Sequence, residues 1–217
     1  MNGARAEILD NIRRSLGRGA LDAKTRAALE ERLAQSPVHV QPALPEPLAE
    51  RFTAKVQRVS GTCAQAATPD EAVRAVAHYL TEHGLPRQLV LAPEPFLMSL
   101  PWPADLRVEY RATRGQDQVG LTGAFAGVAE TGSLVLLSGA ASPTTLNFLP
   151  DMHIVLLRRD RIVRHIEDVW SLIRKDCASL PRAINFITGP SRTADIEQTI
   201  QLGAHGPRRL HVILLGG

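Results

Sequence analysis

With 217 residues the chain is long enough for one domain with an appendage, and its 44% hydrophobic content can fill a core built on Ala, Val, Leu and Ile, since aromatics contribute only 4%. The balance of 25 basic against 22 acidic residues leaves a formal charge of +3, which does not argue for nucleic acid, where a concentrated basic stripe with stacking aromatics is expected. Cys63 and Cys177 lie far apart without Cys or His at ligand spacing, so neither a disulfide framework, a zinc knuckle nor an iron–sulfur cluster held by this chain alone is expected. The segment Met1 to Leu16 is charged throughout and lacks the apolar run of a signal peptide, and no stretch approaches the roughly 20 apolar residues of a membrane helix. The expected compartment is the cytoplasm.

Ile8, Leu9, Ile12 and Leu16 recur at helical spacing within Ala4 to Leu16, where Gly17 and Gly19 stop the pattern. Leu21 to Gln35 reads as a second helix with a weaker apolar stripe. Pro37, Pro42, Pro45 and Pro47 then keep the chain extended. Residues 1–47 are therefore read as a helical N-terminal arm with a proline-rich linker, and residues 48–217 as the folded domain. The arm either clamps a partner or a second copy of the chain, or is a loosely packed tail.

In the domain, Thr68-Pro69-Asp70-Glu71 combines a capping Thr, Pro at the first helical position and Glu three residues after the cap. It predicts a helix running to His83-Gly84. Gln88 to Ala92 and Arg107 to Tyr110 read as short strands. Ser133 to Leu137, Met152 to Leu157, Ala183 to Thr188 and Leu210 to Leu215 are continuous apolar runs, the form of strands covered on both faces. Glu167 to Asp176 and Thr193 to Gln201 read as helices between them. Alternating strands and helices predict an α/β fold: a three-layer α/β/α domain with a mostly parallel sheet.

Ligands of open α/β sheets collect at the carboxyl ends of strands, which points to Thr188-Gly189-Pro190-Ser191-Arg192-Thr193-Ala194-Asp195. The amides near Gly189, the hydroxyls of Ser191 and Thr193 and the guanidinium of Arg192 suit a phosphate or carboxylate. Alternatively, Ser191 or Thr193 simply caps a helix whose dipole Asp195 complements. The second candidate is the glycine-rich run Gly120 to Ser133, which is neither a phosphate-binding loop nor a dinucleotide fingerprint. There Gly127 and Thr131 are candidate ligand contacts, and Glu130 is a nucleophile, a base or an anchor of turn amides. His153 and His205 are the remaining acid–base candidates; neither has partners at metal spacing, and no metal site is expected. Arg158, Arg159, Arg161 and Arg164 read as a solvated turn.

Leu121-Thr122-Gly123-Ala124 through Ala129-Glu130-Thr131-Gly132, then Leu149-Pro150-Asp151-Met152-His153-Ile154, Thr188 to Glu197, and Gly203-Ala204-His205-Gly206-Pro207 together resemble LUD-domain proteins of the lactate-utilisation C type (LutC, formerly YkgG). The likeness covers roughly Thr53 to Leu215, and Ser133 stands where that pattern would have Thr. It implies the three-layer fold of glucosamine-phosphate deaminase, ribose-phosphate isomerase and CoA transferases. It also implies a bacterial subunit without iron–sulfur clusters that supports oxidation of L-lactate to pyruvate with two cluster-bearing partners, LutA-like and LutB-like, a small carboxylate being its candidate ligand. No catalytic residue set comes with the resemblance. Two alternatives stay open: a stand-alone enzyme acting on a phosphorylated or CoA-type molecule through Glu130, and an assembly or regulatory factor using its arm. Homo-oligomerisation is compatible with each.

Overall fold

The computed structural model describes residues 2–35, 40–193, 201–203 and 205–216. The chain falls into two compact units, Met1–Pro42 and Ala43–Gly217. The first holds helices α1 (Asn2–Ser15) and α2 (Ala23–Ala34). Asp22 caps α2, its carboxylate accepting the Thr25 amide at 2.8 Å. Gly17, in the left-handed region, closes α1. Ile8, Leu9, Ile12 and Leu16 of the predicted stripe remain exposed.

The second unit opens with α3 (Leu48–Arg58), which buries Phe52 and Val56 one turn apart. Strand β1 (Thr62–Ala66) follows, then α4 (Pro69–Glu82) with the predicted cap: the Glu71 amide donates to Thr68 Oγ1 at 3.2 Å, and the Glu71 carboxylate accepts from the Ala67 amide at 2.7 Å. Next come β2 (Gln88–Leu91), the single turn α5 (Pro95–Met98), β3 (Arg107–Tyr110), β4 (Val119–Gly123) and β5 (Ala126–Val128). They are followed by β6 (Ser133–Leu137), β7 (Met152–Arg158), β8 (Ile162–Val163), α6 (Ile166–Asp176) and β9 (Ile184–Ile187). Two-residue strands β10 (Arg192–Thr193) and β11 (Gln201–Leu202) precede β12 (Arg209–Leu215).

Among the described residues the main sheet has six strands in the order β1-β12-β7-β4-β2-β3, and every neighbouring pair is parallel. Period-two alternation divides its side chains between two cores. On one face Ile154, Leu156 and Ile213 pack with Val73, Val76 and Leu80 of α4. On the other, Val155, Leu157, Val212 and Leu214 pack with Phe52 and Val56 of α3 and with Leu134 and Leu136 of β6. That second face is shared with a smaller sheet, β8-β5-β6-β9, whose outer side is covered by Val169 and Ile173 of α6.

Two expectations need correction. The runs Ser133–Leu137 and Ile184–Ile187 are strands, but they pair antiparallel with each other in the smaller sheet. Continuous apolar composition reports cover on both faces, not membership of a parallel sheet. The helix expected over Thr193 to Gln201 does not begin or end as one: Thr193 and Gln201 pair across β10 and β11, while residues 194–200 lie outside the described residues. The arginines after β7 are also less free than a solvated turn implies. Arg161 reaches Asp176 at 2.7 Å and lies over the Phe125 ring, Arg159 contacts Gln65 and Glu50, and Arg164 pairs with Glu46.

Candidate functional site

The glycine-rich run is β4, a short link, β5 and a tight turn, and its glycines admit other elements. A Cβ on Gly120 would stand 2.7 Å from Pro150 Cγ, and one on Gly127 would stand 2.6 Å from Leu157 and 3.0 Å from the Phe52 ring. Gly132, at φ +75°, lies against the α3 backbone at Lys55 and Val56. Around that turn Thr131 Oγ1 is 2.6 Å from Ser133 Oγ, which is 2.6 Å from Thr188 Oγ1. The Glu130 carboxylate sits 3.0 Å from Nδ1 of the buried His165, whose amide donates to Asp168 at the start of α6. This arrangement orients an imidazole and anchors a helix. Gly127, Glu130 and Thr131 line no part of the cavity described next.

Three other quoted segments converge. The Ser191 amide donates to the Pro207 carbonyl at 2.9 Å, the Gly203 amide to the Ser191 carbonyl at 3.0 Å, and the Arg208 amide to the Asp151 carbonyl at 2.8 Å. Gly206 lets these loops close up, since a Cβ there would lie 3.2 Å from Ser191 Cβ. Gly189, at φ +84°, turns the chain after β9 against the Val59 carbonyl at the end of α3. Between them opens a cavity of about 290 Å³ lined by Asn147, Phe148, His153, Phe186, Gly189, Ser191, Arg192, His205 and Leu210 among others. Its size is near the lower end of small-molecule sites.

Two buried polar side chains belong to the lining of this cavity. His153, in the second position of β7, is 0% exposed; its Nε2 lies 2.8 Å from Thr122 Oγ1 on the neighbouring strand, and its Nδ1 has no partner among the described residues. Burial pushes the His153 pKa down to about 3, so the ring is neutral at physiological pH. Asn147, 2% exposed, comes from the helical turn Thr144–Asn147, and its Oδ1 likewise has no partner. At the rim Ser191 is half-buried and His205 exposed. Arg192 spends one guanidinium nitrogen on the end of α3, with Nη2 2.5 Å from the Val59 carbonyl and 2.6 Å from Ser60 Oγ. The backbone of Thr193 is in β10, its side chain is outside the described residues, and so is all of Asp195.

The cavity lies at the amino ends of β7 and β12, and the carboxyl end it uses is that of β9 in the smaller sheet. At the carboxyl ends of the main sheet, where chain order reverses between β2 and β4, stands Glu94 instead. Burial raises its pKa, and the Gly123 amide donates to it at 3.3 Å. Sequence reasoning missed Asn147 and Thr122; the one available signal was a lone amide inside the apolar stretch Leu146 to Pro150. Among the described residues no group of three or more His, Cys, Asp or Glu could hold a metal ion, and no helix is long and apolar enough to cross a membrane.

Comparison with known proteins agrees with these motifs. Over 112 residues the chain is 36% identical to Lactate utilization protein C of Anoxybacillus flavithermus (strain DSM 21510 / WK1), covering 48% of this chain and 50% of that protein. It is 34% identical over 117 residues to the protein of the same name from Bacillus subtilis (strain 168), covering 52% and 49%. The chain thus spans about half the length of the curated relatives it matches. A crystal structure of a DUF162 family protein from Deinococcus radiodurans superposes with a TM-score of 0.58 at 23% identity, over 79% of this chain and all of that one, and shares the fold. The LUD domain model matches residues 49–215, and the chain belongs to the LUD domain family.

Proposed function

We propose that this chain is the component without iron–sulfur clusters in a bacterial system that oxidises L-lactate to pyruvate, and that it binds a small carboxylate in the His153 cavity. The observation that carries the reading is the convergence of three family-marking segments on one cavity whose lining includes a neutral, buried imidazole. The names of the relatives supply the pathway. The cysteine count supports a division of labour, because the sequence has two cysteines, Cys63 and Cys177, where an iron–sulfur cluster takes about four. Electrons would then pass through cysteine-rich partners, while this chain presents or holds the acid.

Affinity-tagged protein recovered from its native host is expected to bring down cysteine-rich iron–sulfur proteins together with L-lactate-oxidising activity. The same preparation carrying His153→Phe is expected to keep the partners and lose at least tenfold in that activity. Recovery without any iron–sulfur protein would remove the reading.

A further inference from the structure

A second cavity, of about 380 Å³, lies within the second unit between Pro45-Glu46-Pro47 and one flank of α3. It shares no lining residue with the His153 cavity. From α3 it takes Glu50, Arg51, Ala54, Lys55 and Arg58. Arg51, Lys55 and Arg58 stand at i, i+4 and i+7, so they form one row along the helix, and like charges at that spacing destabilise it unless a counter-charge meets them. The acids at hand are engaged elsewhere. Glu46 pairs with Arg164 and accepts from the Leu48 amide at 3.0 Å, and Glu50 lies 3.4 Å from Arg159. The side chains of Arg51, Lys55 and Arg58 make no hydrogen bond or ion pair among the described residues. Arg51 and Lys55 are half-buried, and Lys55 sits where the Gly132 turn meets α3, so packing holds the row in place.

The rise of the helix sets the length of that row. At about 1.5 Å per residue, Arg51 to Arg58 spans roughly 10 Å. A single small anion reaches one neighbouring pair of these cations and leaves the third unmatched. Two linked phosphates reach all three, with Arg51 and Arg58 as bidentate donors and Lys55 as a point charge between them. Pro45, Pro47 and Ala54 offer an apolar wall to whatever carries the phosphates, and the volume suits a small molecule. We infer that the α3 groove binds the diphosphate group of a small organic molecule, of the class to which nucleoside diphosphates belong.

Calorimetric titration of the full chain at pH 7 with ADP, pyrophosphate, orthophosphate and citrate tests this. ADP and pyrophosphate are each expected to bind at least about tenfold more tightly than orthophosphate, the effect of one added charge-assisted contact. Arg58→Gln is expected to weaken ADP roughly tenfold to hundredfold without moving the urea midpoint, and Arg51→Gln to weaken it as much. Arg74→Gln, which removes an exposed cation of α4, is expected to leave ADP binding unchanged. No binding of ADP or pyrophosphate, equal affinities for ADP and orthophosphate, or an Arg58→Gln protein that binds ADP like the wild type would overturn the site. An equal loss in Arg58→Gln and Arg74→Gln would overturn it too, by showing attraction to the whole surface. Citrate binding as tightly as ADP would overturn the diphosphate assignment, because only net charge would then be read.

Discussion

Gly132→Ala is expected to destabilise the protein by about 2 to 5 kcal/mol, read as a drop in the urea midpoint without a change in slope. Two penalties combine. Gly132 has φ +75°, a region that costs a residue with a Cβ about 1–2 kcal/mol. The new methyl would also stand 2.7 Å from Lys55 Cβ and 2.9 Å from both the Lys55 carbonyl carbon and the Val56 amide nitrogen. Those are backbone and near-backbone atoms of α3, which cannot swing aside, so the helix must lift, and Phe52 and Val56 lift with it from the second core. Gly84→Ala is the control: its φ is +60° but nothing lies within 4 Å of the added Cβ, so only the conformational cost of about 1 kcal/mol is expected. If the two variants lose the same amount, α3 is not seated on this turn.

The second large effect is a collapse of stability in mild acid. His153 and His211 are both buried, at 0% and 5% exposure. Burial lowers the pKa of His153 to about 3; burial, and then the charge of His83, lower that of His211 to about 4. In the unfolded chain both return to about 6.5. Below that pH the unfolded state takes up two protons that the folded state refuses, so stability is complete above about pH 6.5 and falls as the pH drops toward 4. The slope is about 1.4 kcal/mol per pH unit for each histidine, and over that window the loss is on the order of 5 kcal/mol, comparable to the whole stability of many domains. His211 pays for its burial with a stack on Tyr79, ring centroids 4.0 Å apart, and with Thr62 Oγ1 at 2.8 Å from its Nδ1. Urea midpoints measured from pH 7.5 to 4.5 are expected to fall steeply below about pH 6, with His211→Gln removing about half the slope. A flat profile would mean that neither imidazole is buried in solution.

What could be read from the chain follows how local each signal is. The start of α4 is written in four consecutive residues, Thr68 to Glu71, and the structure closes that cap with two hydrogen bonds. The strands β2, β7 and β12 announce themselves as short apolar runs. By contrast, α3 was hidden because Phe52 and Val56 follow a proline-rich stretch and make only one helical repeat. β1 is a half-polar edge, Thr-Cys-Ala-Gln-Ala, and carries almost no pattern. Glycines made β4 and β5 look like a loop, although small residues are what their neighbours demand: Pro150 against Gly120, Phe52 against Gly127. Nothing local distinguishes a strand of the parallel sheet from one of the smaller sheet. The site divides in the same way. Gly189, Ser191, Arg192, His153 and His205 were visible as motif residues and meet at one cavity. Asn147 acquires its meaning only when a turn after β6 packs against β4 and brings it into the cavity lining.

The place of β12 has a consequence for the order of events during synthesis. This strand lies between β1 and β7, pairing with Thr62–Ala66 on one side and Met152–Arg158 on the other. Until residues 209–215 have left the ribosome, the main sheet exists as two pieces, with β1 and much of α4's packing surface waiting for a neighbour. Folding therefore cannot run as a simple progression from the N-terminus. The nascent chain must keep two open strand edges apart from other chains until β12 arrives, and a chain cut before residue 209 is expected to pair with its neighbours.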